Sequence, residues 1–86
     1  MDAILSSISI AALRLVEDVL SNDESSSDDE LLDYFIANGL TEPQARQALT
    51  YRSQYLCNLF LSGHTPILKG AQALRYNPHR GLFEQM

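Results

Sequence analysis

Eighty-six residues, 45% of them hydrophobic, bound this chain to one domain close to the size at which a single core is marginal and a partner or second copy helps. A formal net charge of −5 weighs against direct binding to nucleic acid. The single cysteine excludes an internal disulfide and points to a reducing, cytoplasmic setting.

In chain order, the stretch from Ala3 to Leu20 is the most apolar. It lacks a basic leader, because Asp2 follows Met1, and serines and Arg14 interrupt it, so neither a signal peptide nor a membrane span is expected. Read as a helix over 2–21, it gathers Ile4, Leu5, Ile8, Ala11, Ala12, Leu15, Val16, Val19 and Leu20 on a broad arc opposite Arg14, Glu17 and Asp18. Such an arc suits the central helix of a small bundle. Its width also leaves Ile4, Ile8 and Leu15 to pair two copies as a homodimer.

Residues 21–27 contain no apolar side chain and read as an acidic, serine-rich linker. Residues 1–40 hold nine acids against Arg14, a net of −8, while residues 41–86 hold five bases against Glu42 and Glu84, a net of +3. The acids Asp23, Glu24, Asp28, Asp29, Glu30 and Asp33 therefore either solvate a loop and a helix start or offer carboxylates to a basic partner.

Ser27 and Glu30 form a capping-box pair for a helix over 28–38, whose apolar stripe is Leu31, Leu32, Phe35 and Ile36. Gly39 ends it in the left-handed conformation, and Leu40 folds back on Phe35. Thr41, Pro43 and Gln44 start a third helix, predicted over 42–62, with Ala45, Ala48, Leu49, Leu56, Leu59 and Phe60 recurring at helical spacing up to Gly63. Cys57 on that helix reads as a buried or half-buried residue without a redox or metal role. Thr65-Pro66 starts a fourth helix over 66–76, and Asn77-Pro78 stops it. Residues 77–86 then form a non-helical tail in which Leu82 and Phe83 clip onto the body or a partner.

Catalytic patterns are weak. His64 and His79 fall in predicted loops without a matched nucleophile, Ser25 to Ser27 lack the strand-turn-helix setting of a nucleophile elbow, and no phosphate-binding glycine loop occurs. Neither an enzyme nor a cofactor or metal site is expected.

Two resemblances attach to the central hairpin. With Gly39 as the turn glycine it resembles a helix-turn-helix, which implies that Glu42 to Gln54 reads DNA through Gln44, Arg46, Gln47 and Thr50. Phe35, where that motif takes a small residue, and the acidic first helix depart from it. Separately, Asn38-Gly39-Leu40 followed by Ala45, Ala48-Leu49 and Leu59-Phe60-Leu61 looks like the Met-Gly-Phe loop and following helices of a ubiquitin-associated domain, over about a third of the chain. Asn38 stands where that family has Met, and the sequence lacks the family's break between the second and third helices. The expectation preferred to both is an all-α, four-helix, bundle-like domain in which Gly39 simply stops a helix. It would act as a non-catalytic adaptor or inhibitor that docks on a larger protein or nucleoprotein assembly, with Arg46, Tyr51 and Gln54 at the contact. The DNA regulator is the runner-up and the ubiquitin-binding module comes third.

Overall fold

The computed structural model describes residues 1–85, the side chain of Cys57 excepted, so the expectation for Cys57 lies outside the described residues. Among the described residues five α-helices run in order: α1 (Ile10–Asn22), α2 (Asp28–Ala37), α3 (Glu42–Leu49), α4 (Arg52–Cys57) and α5 (Pro66–Lys69). A 3-10 turn, Gly70–Gln72, then leads into strands β1 (Leu74–Asn77) and β2 (Leu82–Gln85).

The expected all-α class is therefore wrong, because the chain is mixed α and β with a two-stranded antiparallel sheet at its C-terminal end. The register pairs Leu74 with Gln85, Arg75 with Glu84, Tyr76 with Phe83 and Asn77 with Leu82. The aromatic rings of Tyr76 and Phe83 lie 5.4 Å apart across the strands. Asn77-Pro78, taken as a helix stop, instead opens the hairpin turn, and Gly81 closes it at φ +66°. An isolated bridge pairs Phe60 with Arg75, so residues 59–61 lie along β1 and cannot continue the third helix.

Three further boundaries move. The first helix begins at Ile10 rather than residue 2, because the Ser9 hydroxyl caps Ala12 N–H and Asp2 Oδ1 captures the amides of Ile4 and Leu5 in a turn. The third helix breaks at Thr50 and Tyr51, whose amides bond three residues back to Gln47 and Ala48. The fourth stops at Lys69, and Gly70 turns the chain at φ +55° toward β1.

The expected α2–α3 turn is present in detail. Ser27 with Glu30 and Thr41 with Gln44 both form complete capping boxes. At the end of α2, Gly39 N–H donates to Ile36 C=O and Leu40 N–H to Phe35 C=O, each at 3.1 Å, the bond pair of a Schellman stop. Phe35 and Leu40 are both buried there.

One core joins the helices. Leu13, Val16 and Leu20 of α1 meet Leu31 and Phe35 of α2, with Ala45 and Ala48 letting α3 approach closely and Tyr55 and Ile67 completing the interior. Leu5 enters from the N-terminal segment. No apolar side chain of the hairpin belongs to this cluster.

Candidate docking surface

Three of the six acidic positions singled out from sequence are used internally. Asp23 ends α1 and folds the linker on itself: its Oδ1 accepts the Ser25 and Ser26 amides, and its Oδ2 accepts the Ser26 hydroxyl at 2.8 Å. The Ser26 amide and hydroxyl, working against partial desolvation and helped by Ser25 and the Arg52 charge, hold the Asp23 carboxyl below its ordinary value. Asp28 receives Arg52 Nη1 at 2.7 Å, and Glu30 Oε1 accepts the Ser27 amide at 3.0 Å. By contrast, Glu24, Asp29 and Asp33 are exposed and make no ion pair among the described residues.

Arg52 was not singled out from sequence, yet it fixes this region. Its Nη2 donates to the carbonyls of Ser26 at 2.5 Å and Asp23 at 3.2 Å, while Nη1 holds Asp28. The Nε–H is buried without an acceptor among the described residues. A charged fork on linker carbonyls turns a segment of disorder-prone composition into a shaped loop. No local signal in the sequence announces that role, because it joins elements that only the tertiary fold brings together.

Between the end of α1 and the first turns of α2 lies a cleft of about 440 Å³ lined by Val19, Asp23, Ser26, Glu30, Leu31 and Tyr34. Its floor is apolar, from Val19 and Leu31, and Asp23 and Glu30 stand among its polar walls. Tyr34, 46% exposed, forms one wall. On the solvent side of α2, Asp29, Asp33 and the 41%-exposed Ile36 fall within one arc at 100° per residue.

The remaining sequence-derived positions separate. Arg46 pairs with Glu42 at 2.7 Å and lines a groove with Asp28, Asp29, Leu32 and Leu49. Tyr51 and Gln54 line a different groove with Pro66, Gly70 and Ala71. The Tyr51 hydroxyl is already engaged, donating to Asp2 Oδ2 at 2.6 Å, and Gln47 Nε2 reaches the same oxygen at 2.8 Å. Gln44 Nε2 donates to Ser7 Oγ at 3.0 Å. Of the proposed dimer positions, Ile4 is 47% exposed, whereas Ile8 and Leu15 pack half-buried against the core. The three do not share a helix, since α1 begins after Ile4 and Ile8.

A second cleft, between α1 and the segment after α4, holds Glu17, Tyr55, Asn58 and Thr65 among its walls. Glu17 Oε2 accepts the Tyr55 hydroxyl at 2.6 Å, and the same hydroxyl accepts the Ile67 amide at 3.4 Å, which ties α1, α4 and α5 together. His64 is half-buried after Gly63, and His79 is exposed at the hairpin tip. Among the described residues no group of three or more His, Cys, Asp or Glu is placed to hold a metal ion. No helix among them is long and apolar enough to cross a membrane. No family model, curated protein or solved structure matches the chain.

Proposed function

We propose that this chain is a cytoplasmic, non-catalytic protein-interaction module, an adaptor or inhibitor, that docks a basic segment of a larger protein in the cleft between α1 and α2. The observation that carries the reading is the lining of that cleft, in which Asp23 and Glu30 stand beside Val19, Leu31 and Tyr34 on a linker held in shape by Arg52. A lysine or arginine has an apolar stem and a cationic end. The stem fits over Val19 and Leu31, and the cation reaches Asp23 and Glu30 along the ring of Tyr34. Glu24, Asp29 and Asp33 add long-range attraction for the same partner.

The test is an NMR titration with short lysine-rich and arginine-rich peptides and an acidic peptide of equal length as control. Shifts are expected at Val19, Asp23, Glu30, Leu31 and Tyr34 for the basic peptides alone. Reversing Glu24, Asp29 and Asp33 together should slow association at low salt and change little at high salt, because exposed charges are screened beyond about 8 Å at physiological ionic strength. Equal response to the acidic peptide, or no response at these residues, overturns the reading.

The DNA-regulator alternative is weakened by Gln44 and Gln47, whose amides are spent on Ser7 and Asp2 instead of facing a groove. The ubiquitin-associated-like alternative gains from the break at Thr50 and Tyr51, which divides the chain after Gly39 into two helices, α3 and α4. Titration with ubiquitin distinguishes it: shifts clustered at Asn38 to Leu40 and along α4 would favour that module over the basic-segment cleft.

A further inference from the structure

The cleft between α1 and the segment after α4 carries hydrogen-bond acceptors on its polar walls and apolar side chains beside them. Glu17 is the only charged side chain among the described residues that line it. Tyr55, 2% exposed, donates its hydroxyl to Glu17 Oε2 at 2.6 Å and so holds the carboxylate from inside the core. Glu17 Oε1 makes no hydrogen bond or ion pair among the described residues.

The two amides that line the cleft have spent their donors elsewhere. Asn22 Nδ2 donates to Asp18 C=O and to Asp18 Oδ1, both at 2.9 Å, and Asn58 Nδ2 donates to Gln54 C=O at 2.9 Å. What each amide leaves without a partner among the described residues is its carbonyl oxygen, an acceptor. The Tyr55 O–H is spent on Glu17, and the hydroxyls of Ser21 and Ser62 can turn to serve as acceptor or donor. Leu56, Leu59 and Phe60 supply apolar surface, with the Phe60 ring 5.6 Å from that of Tyr55 in a tilted contact. Leu59 lies outside the core and is 63% exposed.

We infer that this cleft binds a small free amine in its protonated form, a primary ammonium group on a short aryl or alkyl body. An ammonium brings three donors, a positive charge and no acceptor, the complement of a carboxylate oxygen flanked by amide carbonyls. Its carbon body then covers Leu56, Leu59 and Phe60, an aryl ring extending the tilted Tyr55–Phe60 pair.

The same lining rejects other classes. An anion would meet the Glu17 charge with no cation to offset it. A guanidinium pairs best with both oxygens of a carboxylate, and Oε2 is already held by Tyr55. A quaternary ammonium has no N–H to donate and needs aromatic faces around it, whereas the Tyr55 ring is sunk in the core. A metal ion would find a single carboxylate. At about 380 Å³ the cleft lies at the lower end of the range for ligand sites, about 300–1,000 Å³, which suits a small molecule.

Phenethylamine is the probe, titrated into the full chain at neutral pH and followed by amide NMR. Shifts are expected at Glu17, Ser21, Leu59, Phe60 and Gly63. Phenethyl alcohol and hydrocinnamate keep the ring but lose the cation or reverse its sign, and should leave these signals in place. The trimethylammonium derivative keeps the charge without the N–H groups and should bind about tenfold more weakly. Glu17→Gln retains an oxygen for the Tyr55 hydroxyl while removing the charge, and should weaken the amine about tenfold. Should that variant fail to fold, Leu59→Lys decides at an exposed position: its own ammonium occupies the cleft and should abolish the shifts.

Silence at these residues with the amine overturns the proposal. So do equal shifts from the alcohol, equal affinity of the trimethylammonium derivative, or binding indifferent to a folded Glu17→Gln or to Leu59→Lys. A response at Glu17 and Phe60 to a lysine-rich peptide, with none to the free amine, would assign the cleft to a protein side chain and overturn it as well. Reversal of Glu24, Asp29 and Asp33 should leave amine binding unchanged, and Glu17→Gln should leave the basic-peptide shifts at Val19 and Tyr34 unchanged. The two clefts are thereby tested independently.

Discussion

The Tyr51 hydroxyl donates to Asp2 Oδ2 at 2.6 Å, joining residues 49 positions apart. That carboxylate also takes Gln47 on the same oxygen and the amides of Ile4 and Leu5 on the other, so one side chain organises the N-terminal turn and docks it at the α3–α4 junction. Asp2→Ala should cost about 1–2 kcal/mol, since its donors stay near water at a half-buried site. Tyr51→Phe should cost about 1 kcal/mol, and the double variant less than the sum, because the two changes remove the same bond. Urea denaturation of the four proteins measures the coupling.

Stability should fall at both ends of the pH scale, with opposite signs of proton linkage. Partial burial raises the Asp2 carboxyl, but hydrogen bonds from Tyr51, Gln47, Leu5 and Ile4 together outweigh it and leave it below its ordinary 3.8. Its contribution is present above that value and lost as pH falls through the lower, folded-state one. Burial first, then the Asp2 hydrogen bond and charge, push Tyr51 from 10.0 up to about 12, and burial with the Glu17 bond raises Tyr55 further. Because the unfolded chain loses these phenolic protons first, the stabilisation is intact below pH 10.0 and drains away as pH climbs toward about 12. Denaturant midpoints that stay level between about pH 9.5 and about pH 11.5 would contradict this.

Arg52→Lys should loosen the linker without removing its charge. A lysine ammonium cannot span two carbonyls and a carboxylate as the guanidinium does, so a loss of about 1–2 kcal/mol is expected. The sharper readout is digestion by a glutamate-specific protease. Cleavage after Glu24 should appear in the variant under conditions that leave the parent protein whole.

Gly39→Ala should destabilise through the backbone alone. The glycine sits at φ +104°, and a Cβ built there meets nothing within 4 Å, so about 1–2 kcal/mol of conformational cost stands without any clash. D-alanine, introduced by chemical synthesis, has the mirror-image preference and should be neutral or slightly stabilising. A clear loss with D-alanine would mean that the site itself lacks room.

What could be read from sequence was local, and what could not was tertiary. The boxes at Ser27 and Thr41 and the stop at Gly39 and Leu40 are short-range chemistry, and all of them form. The periodicity from Ala45 to Phe60 hid the break at Thr50, because the apolar spacing continues through it. At the break Tyr51 turns to Asp2 and Arg52 to the linker carbonyls, partners distant in sequence. The hairpin did leave a local trace: Leu74 to Asn77 and Leu82 to Gln85 flank a turn of Pro78, His79, Arg80 and Gly81. Helical spacing of Ile67, Ala71 and Leu74 masked it, although Gly70 and Ala71 lie in a single 3-10 turn and Leu74 in a strand. For the docking cleft, the acids stood out in the sequence, but the Val19–Leu31 floor and the Tyr34 wall required α1 and α2 to be packed.

The N-terminal turn is also joined to α5, through Asp2 N–H donating to Ile67 C=O at 2.9 Å. Its tethers reach Ser7–Gln44, Asp2–Tyr51 and Asp2–Ile67, whereas the hairpin closes over a handful of residues. Closing a long loop costs chain entropy that a local turn does not. The order of assembly follows: the β1–β2 turn and the α2–α3 corner can form early, while the first eight residues settle only after α3, α4 and α5 exist to receive them. Lifting of the same segment would carry Leu5 out of the core and free Gln44, Gln47 and Tyr51 from Ser7 and Asp2, so its detachment links the interior of the fold to the exposed side of α3 and α4.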